Sequence, residues 1–181
     1  KGKQFLEYFQ MPTDNWPNKG KERLGNYNLY DWFDAKVSFQ KKIIYAFLEI
    51  QWRLNIKRKP IKEFSTLYGG STWWTLSADC LNYVIRFLEN HPNFLKKFNF
   101  SFCSEEILFQ TIIVNSPYKK RLVNDNLRYI QWEERNGSCP AILDETDFEN
   151  IKKSDALFAR KFDKLHSNKL LGQIKSSKGF N

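Results

Sequence analysis

The chain has 181 residues, a net charge of +9, 41% hydrophobic residues and 17% aromatic residues. That length and apolar content suffice for a sizeable core and exclude a disordered chain, and no apolar run is long enough to span a bilayer as a helix. The charge points to an anionic partner: nucleic acid, a phosphorylated small molecule or an anionic membrane surface.

Six Trp, eight Tyr and sixteen Phe leave aromatics available to stack on flat or ring-shaped ligands. The three cysteines, Cys80, Cys103 and Cys139, are too few and too scattered for a disulfide framework. His91 and His166 are the only histidines and lie far apart in sequence. A zinc site, a Ser-His-Asp set and a Cys-His set are therefore not expected, and no metal site is assigned. Basic residues gather at Lys57-Arg58-Lys59, Lys119-Lys120-Arg121 and Arg160-Lys161.

In chain order, residues 1–7 read as a short helix and 8–15 as extended, with Met11-Pro12 ending any helix by that point. No initiator Met or signal peptide stands at the start, so Lys1 is expected to lie inside a longer natural chain. Residues 16–28 are rich in Pro, Gly, Asn and Lys and read as a loop. The loop carries Lys19, Lys21 and Arg23, which could grip an anion or a sugar hydroxyl; a merely solvated loop fits equally. Residues 40–51 form a nearly continuous apolar run that fits helix or strand. Residues 67–76 read as a short strand after a glycine turn, and within it Trp73-Trp74 as packing. Ser77 then caps a helix whose buried face is Leu81, Val84, Ile85 and Leu88, ended by His91-Pro92.

Residues 103–115 hold the central feature. Ser104 reads as the N-cap of a helix, with Glu105 and Glu106 in the first turn, where free backbone N–H groups favour negative charge. Ile107, Leu108, Thr111 and Ile112 follow at helical spacing. A carboxylate at the mouth of a buried helix has the fixed geometry that a general base requires, although acidic residues in a first turn commonly do no more than stabilise the helix. Further on, 123–132 reads as a loop into a strand and 136–140 as a turn. Thr146 with Glu149 reads as a capping box. Residues 167–181, rich in Lys, Ser and Gly, read as a tail with poorly ordered last residues.

Four segments then occur in order: G-G-S-T-W-W-T-L-S at 69–77, S-E-E-I-L-F-Q-T-I at 104–112, N-D-N-L-R-Y-I-Q-W at 124–132 and L-F-A-R-K-F-D at 157–163. Together they resemble the core-2/I-branching β-1,6-N-acetylglucosaminyltransferase family, which also holds peptide O-xylosyltransferases. The compact spacing and Lys/Asn/Ile-rich composition are similar to a bacterial-type member. The resemblance implies an α/β fold, the glycosyltransferase A-type αβα sandwich, with its N-terminal nucleotide-binding portion outside this chain. It implies one domain part over 1–165 and a polar tail over 166–181.

It further implies an inverting transfer from a UDP-sugar to a glycan hydroxyl, with no cofactor beyond that donor. UDP-N-acetylglucosamine is the expected donor and UDP-xylose the alternative. In this resemblance Glu106 matches the catalytic base, and an inverting single displacement needs only one such carboxylate. No Asp-x-Asp motif occurs; Lys161, with Arg160 beside it, matches the lysine that meets the diphosphate, so the leaving charge is expected to be neutralised without a metal. A second family arginine would fall near Ser138, leaving Arg135 or Arg128 to substitute. Trp132 matches the acceptor wall, Glu134 replaces a family tyrosine beside it, and Glu7 and Arg23 match acceptor contacts. The implied partners are the nucleotide sugar and the glycan. The three scattered cysteines agree with a reducing cytoplasm, and the basic surface suits peripheral contact with the inner membrane face. Two rivals stand beside this reading. One is a non-catalytic glycan-binding remnant; the other is a nucleic-acid-binding domain, for which no motif is visible.

Overall fold

The computed structural model describes residues 2–177. The chain divides into two compact units, Lys1–Asp125 and Asn126–Asn181. The fold is mixed α/β.

The first unit contains five short strands: β1 (Gln4–Leu6), β2 (Phe9–Gln10), β3 (Tyr68–Gly69), β4 (Trp74–Thr75) and β5 (Leu122–Val123). It also contains helices α1 (Lys21–Gly25), α2 (Ser38–Arg53), α3 (Ala78–Asn90), α4 (Pro92–Lys96) and α5 (Glu105–Val114). β1 is central in one sheet, antiparallel to β4 and parallel to β5, while β2 pairs antiparallel with β3.

Residues 1–7 were expected to be helical, yet Gln4–Leu6 is strand. Gln4 and Leu6 are both fully buried. Gln4 exchanges two hydrogen bonds with Ser77, giving Nε2 to its Oγ at 3.0 Å and taking its N–H at 2.8 Å. Pairing on both edges outweighs a weak local preference for helix. The single strand expected over 67–76 is two short strands in different sheets: β3, which ends at Gly69, and β4, which follows the glycines at Trp74–Thr75. The ambiguous run at 40–51 lies in helix α2, held down by buried Ile44 and by Gln51, whose side-chain amide pairs with the backbone of Tyr27 at 2.8 Å in both directions.

Helix α3 starts where the sequence placed it, with the Ser77 hydroxyl accepting the Cys80 N–H at 3.3 Å. Helix α5 is buried along nearly its whole length, with Ile107 and Gln110 through Val114 all covered. Such a helix needs no polar face. The core around it contains Leu6, Cys80, Val84, Phe94, Phe98, Ile107, Ile112, Ile113 and Val114.

The second unit carries parallel strands β6 (Arg128–Ile130) and β7 (Phe158–Arg160), with helices α6 (Phe148–Lys153) and α7 (Asn168–Ser176). Its core is Leu143, Ile151 and Leu170, flanked by Tyr129, Phe148, Ala159 and Ile174. The expected tail from residue 166 thus contains a helix whose Leu170 is fully buried. The last residues, 178–181, lie outside the described ones. The capping box sits two residues before the expected one. Asp144, in extended backbone, accepts the Thr146 N–H at 3.1 Å, and Asp147 accepts the Asp144 N–H at 3.0 Å. No described helix is long and apolar enough to cross a membrane.

Candidate active site

Helix α5 grips the glycine-rich segment before it by side chains on one face. Asn115 donates to the Thr66 carbonyl at 3.0 Å. The Thr111 hydroxyl accepts the Tyr68 N–H at 3.0 Å and donates to the Tyr68 carbonyl at 3.1 Å. Gln110 donates to the Ser71 carbonyl at 2.6 Å. At the helix mouth the Gly70 N–H donates to the carbonyl of Glu106 at 2.9 Å. Residues 106–115 therefore supply the partners for the backbone at Thr66, Tyr68, Gly70 and Ser71.

Glu106 stands in the first turn of α5. Ser104 does not cap this helix with its hydroxyl, as expected from sequence. It adopts helical backbone angles itself, and its carbonyl accepts the N–H groups of Ile107 and Leu108 at 3.0 and 2.9 Å. Oε2 of Glu106 takes a hydrogen bond from Nη1 of Arg23 at 2.5 Å, with the two side chains 25% and 13% exposed. The carboxylate is thus held by a cation yet still reachable. The Arg23 guanidinium lies 3.7 Å from the centre of the Trp16 ring and 5.5 Å from that of Phe102. The backbone closes the same arrangement, as the Phe102 N–H donates to the Arg23 carbonyl at 2.9 Å.

Glu7 lies against Gly70. A side-chain carbon on Gly70 would stand 1.9 Å from the Glu7 carbonyl oxygen, so only glycine fits. Asn124 fixes the following residue, accepting the Tyr8 N–H at 2.8 Å and donating to the Tyr8 carbonyl at 3.0 Å. Of the residues singled out from the sequence, Arg23 and Glu106 form one ion pair, and Glu7 and Glu106 both meet Gly70 through their backbone carbonyls. Residues 16–28, expected as a loop, contain a 3-10 turn (Pro17–Gly20) running into α1, with Gly20 buried and Lys19, Lys21 and Glu22 exposed. Cys103, next to the site, has its thiol pushed up to about 11, first by burial and then by the charges of Glu106 and Glu105. A cavity of about 380 Å³ lies nearby, walled by Met11, Lys19, Gly20, Lys21, Leu24 and Phe64 among others; Glu106 is not among its walls.

The remaining residues belong to the second unit. Arg160 ends β7 in register with Ile130. The chain at 141–143 bridges the ends of both strands. Ala141 donates to Gln131 at 2.9 Å, Lys161 to Ala141 at 3.4 Å and Leu143 to Lys161 at 2.8 Å, all through the backbone. This places Lys161 with its ammonium on the Ser138 hydroxyl at 2.9 Å. Trp132 is 73% exposed just beyond β6, so it is not a core tryptophan. Glu134 is also exposed. Arg135 does not supply a second free cation. It donates to Asp147 at 2.7 and 2.8 Å, to Asp144 at 3.1 Å and to Thr146 at 2.8 Å. Arg128 donates to the Asn126 carbonyl and lies 4.7 Å from the Phe158 ring centre. Both arginines are structural.

Sequence reasoning missed Trp16, Asn124 and the clearance role of Gly69 and Gly70. The glycine pair was visible, but it reads as a turn until the passing backbone is known. Among the described residues no group of three or more His, Cys, Asp or Glu side chains is placed to hold a metal ion.

The profile of the Core-2/I-Branching enzyme family matches residues 22–155. The chain belongs to this family. Relatives include Xylosyltransferase 1 of Rattus norvegicus, 28% identical over 141 residues, which are 69% of this chain and 17% of the rat protein. Beta-glucuronosyltransferase GlcAT14A of Arabidopsis thaliana is 32% identical over 108 residues, 59% of this chain and 24% of that protein. Xylosyltransferase 2 of Bos taurus is 25% identical over 139 residues, 68% of this chain and 16% of the bovine protein. The chain therefore spans about a sixth to a quarter of the length of these glycosyltransferases. The family match includes Arg23, Glu106, Trp132 and Glu134, while Glu7, Arg160 and Lys161 fall outside it.

Proposed function

We propose that this chain carries the catalytic base and acceptor side of an inverting glycosyltransferase of the A-type sandwich fold, acting on a UDP-sugar. The observation that carries the reading is the carboxylate of Glu106, fixed at the mouth of a buried helix with Oε2 on Arg23. With Oε2 so held, Oε1 meets the acceptor hydroxyl. It takes the hydroxyl proton as the oxygen bonds to the anomeric carbon, the bond to the diphosphate breaks, and UDP leaves with the electron pair. One displacement inverts the anomeric centre.

Lys161, whose ammonium donates to Ser138, and Arg160 are the cations proposed to neutralise the charge that develops on the diphosphate. For the acceptor, the residues proposed are Glu7 and Arg23 in the first unit and, in the second, Glu134 and the exposed Trp132, whose ring offers a stacking surface. N-acetylglucosamine is the sugar suggested by the resemblance, and the relatives' names add xylose and glucuronic acid. A panel of the three UDP-sugars ranks them.

The test is calorimetric titration of UDP into the full-length protein, with and without EDTA, beside a Lys161→Ala variant. Binding that ignores EDTA and weakens at least tenfold in the variant supports the reading. Unchanged binding by Lys161→Ala removes Lys161 from the donor site. No UDP binding by the wild type favours a glycan-binding protein without transfer.

A further inference from the structure

Trp16 belongs to none of the four sequence segments and lies outside the residues matched by the family profile. Yet the local structure is arranged around its ring. A side-chain carbon on Gly69 would stand 2.4 Å from the indole, and one on Gly20 would stand 2.7 Å from it. Two glycines from separate segments therefore make room for one tryptophan. Phe9 meets the ring edge-to-face at 4.9 Å between centres. The turn carrying Trp16 is closed by its own carbonyl, which accepts the Lys19 N–H at 3.0 Å, and Asn18 reaches Glu22 at 2.6 Å. The indole is thus fixed on several sides before Arg23 is considered.

Arg23 lies on that ring at 3.7 Å and reaches Glu106 at 2.5 Å. A free arginine side chain samples many rotamers. Stacking on a fixed indole confines the guanidinium to one plane, and a cation over an aromatic face is attracted to it. In that plane Nη1 points at Oε2 of Glu106.

We propose that Trp16 is a positioning residue that sets the orientation of the Glu106 carboxylate through Arg23. The inference rests on the assignment of Glu106 as the base. Trp16 touches neither the carboxylate nor the reacting atoms; its effect is transmitted by the plane of the guanidinium. A flat ring at this position preserves the effect, whereas a branched aliphatic side chain does not.

The test combines two readouts on Trp16→Phe, Trp16→Leu and Glu106→Gln. The first is nitrogen-detected NMR of the Arg23 guanidinium, which needs no substrate. The wild type and Trp16→Phe should show slowly rotating, ring-shifted Arg23 signals, and Trp16→Leu should lose them. The second is UDP release from the UDP-sugar by the full-length protein. Trp16→Leu should lose roughly 10–100-fold in kcat with donor KM within about twofold, and Trp16→Phe should stay within about threefold of wild type. Unchanged Arg23 signals in Trp16→Leu overturn the proposal. So does wild-type turnover by Trp16→Leu while Glu106→Gln is inactive. If Trp16→Leu does not fold, a folded Trp16→Phe that loses the Arg23 signals overturns it equally, and one that keeps signals and rate supports it. Full turnover by Glu106→Gln is a different result: it removes the base assignment on which the proposal stands.

Discussion

The carbonyl oxygen of Glu7 passes 1.9 Å from the point where a side chain on Gly70 would begin. Gly70 in turn donates its N–H to Glu106. The glycine couples the start of the chain to the mouth of helix α5, and its lack of a side chain is the structural requirement. Gly70→Ala must move backbone, because the obstructing atom is a carbonyl. The expected cost is on the order of 2–4 kcal/mol, in the range of backbone-incompatible substitutions. Gly172→Ala is the contrast. It sits in helix α7 with nothing within 4 Å of the new carbon, so it should stabilise by about 0.5–1 kcal/mol. Denaturant melts of the two variants should shift in opposite directions.

Arg135 holds Asp147, which is only 3% exposed, by two hydrogen bonds. Arg135→Met leaves that carboxylate buried without its cation, and the expected loss is about 3 kcal/mol. Arg135→Lys should recover only part of it, since an ammonium cannot reproduce the fork. Neither variant should weaken UDP binding if the protein is folded. Melting curves and UDP titration check both halves of this statement.

Asp144 has its carboxyl held down to about 2, first by hydrogen bonds from the Thr146 hydroxyl and from Asn136, with the Thr146 N–H and Arg135 adding to them. The unfolded carboxyl titrates near its ordinary value of about 4. A group depressed on folding adds stability above the unfolded value and loses it as the pH falls through the folded one. Stability should therefore decline between about pH 4 and pH 2, and Asp144→Asn should decline less steeply there. Urea midpoints measured across that range test the sign.

Burial pushes the thiols of Cys80 and Cys103 up to about 11, with the charge of Glu106 adding to the shift at Cys103. At pH 8 both remain protonated and poorly nucleophilic. Cys139 is exposed. Iodoacetamide at pH 8 should therefore modify Cys139 at least tenfold faster than either, as read by peptide mass spectrometry. Rapid modification of Cys103 would contradict the packing around Arg23 and Glu106.

The helices α3 and α5 were legible because each carries apolar residues at helical spacing beside acidic first-turn residues. The position of Glu106 at the start of α5 followed from that pattern. The short strands were harder to read. Gln4–Leu6 is too brief for any period, and its conformation is set by partners at Trp74, Thr75, Leu122 and Val123. Helix α7 was hidden by its surroundings. Leu170 and Ile174 stand one turn apart, but the Lys, Ser and Gly around them read as a tail. The role of Trp16 depends on space left by Gly69, far away in sequence, and no local signal announces it. Lys161 was singled out by family likeness, whereas its contact with Ser138 appears only in the fold.

The central claim is that Glu106 takes the acceptor proton during sugar transfer. Its most direct test is the transfer rate of Glu106→Gln in the full-length protein, measured at saturating UDP-sugar with UDP affinity determined alongside. Glutamine keeps the shape of the side chain and can still accept from Arg23, but it cannot take a proton at neutral pH. The account predicts a fall in kcat of about 10²–10⁴-fold with UDP binding within threefold of wild type. A variant that transfers sugar at a near-normal rate would contradict it.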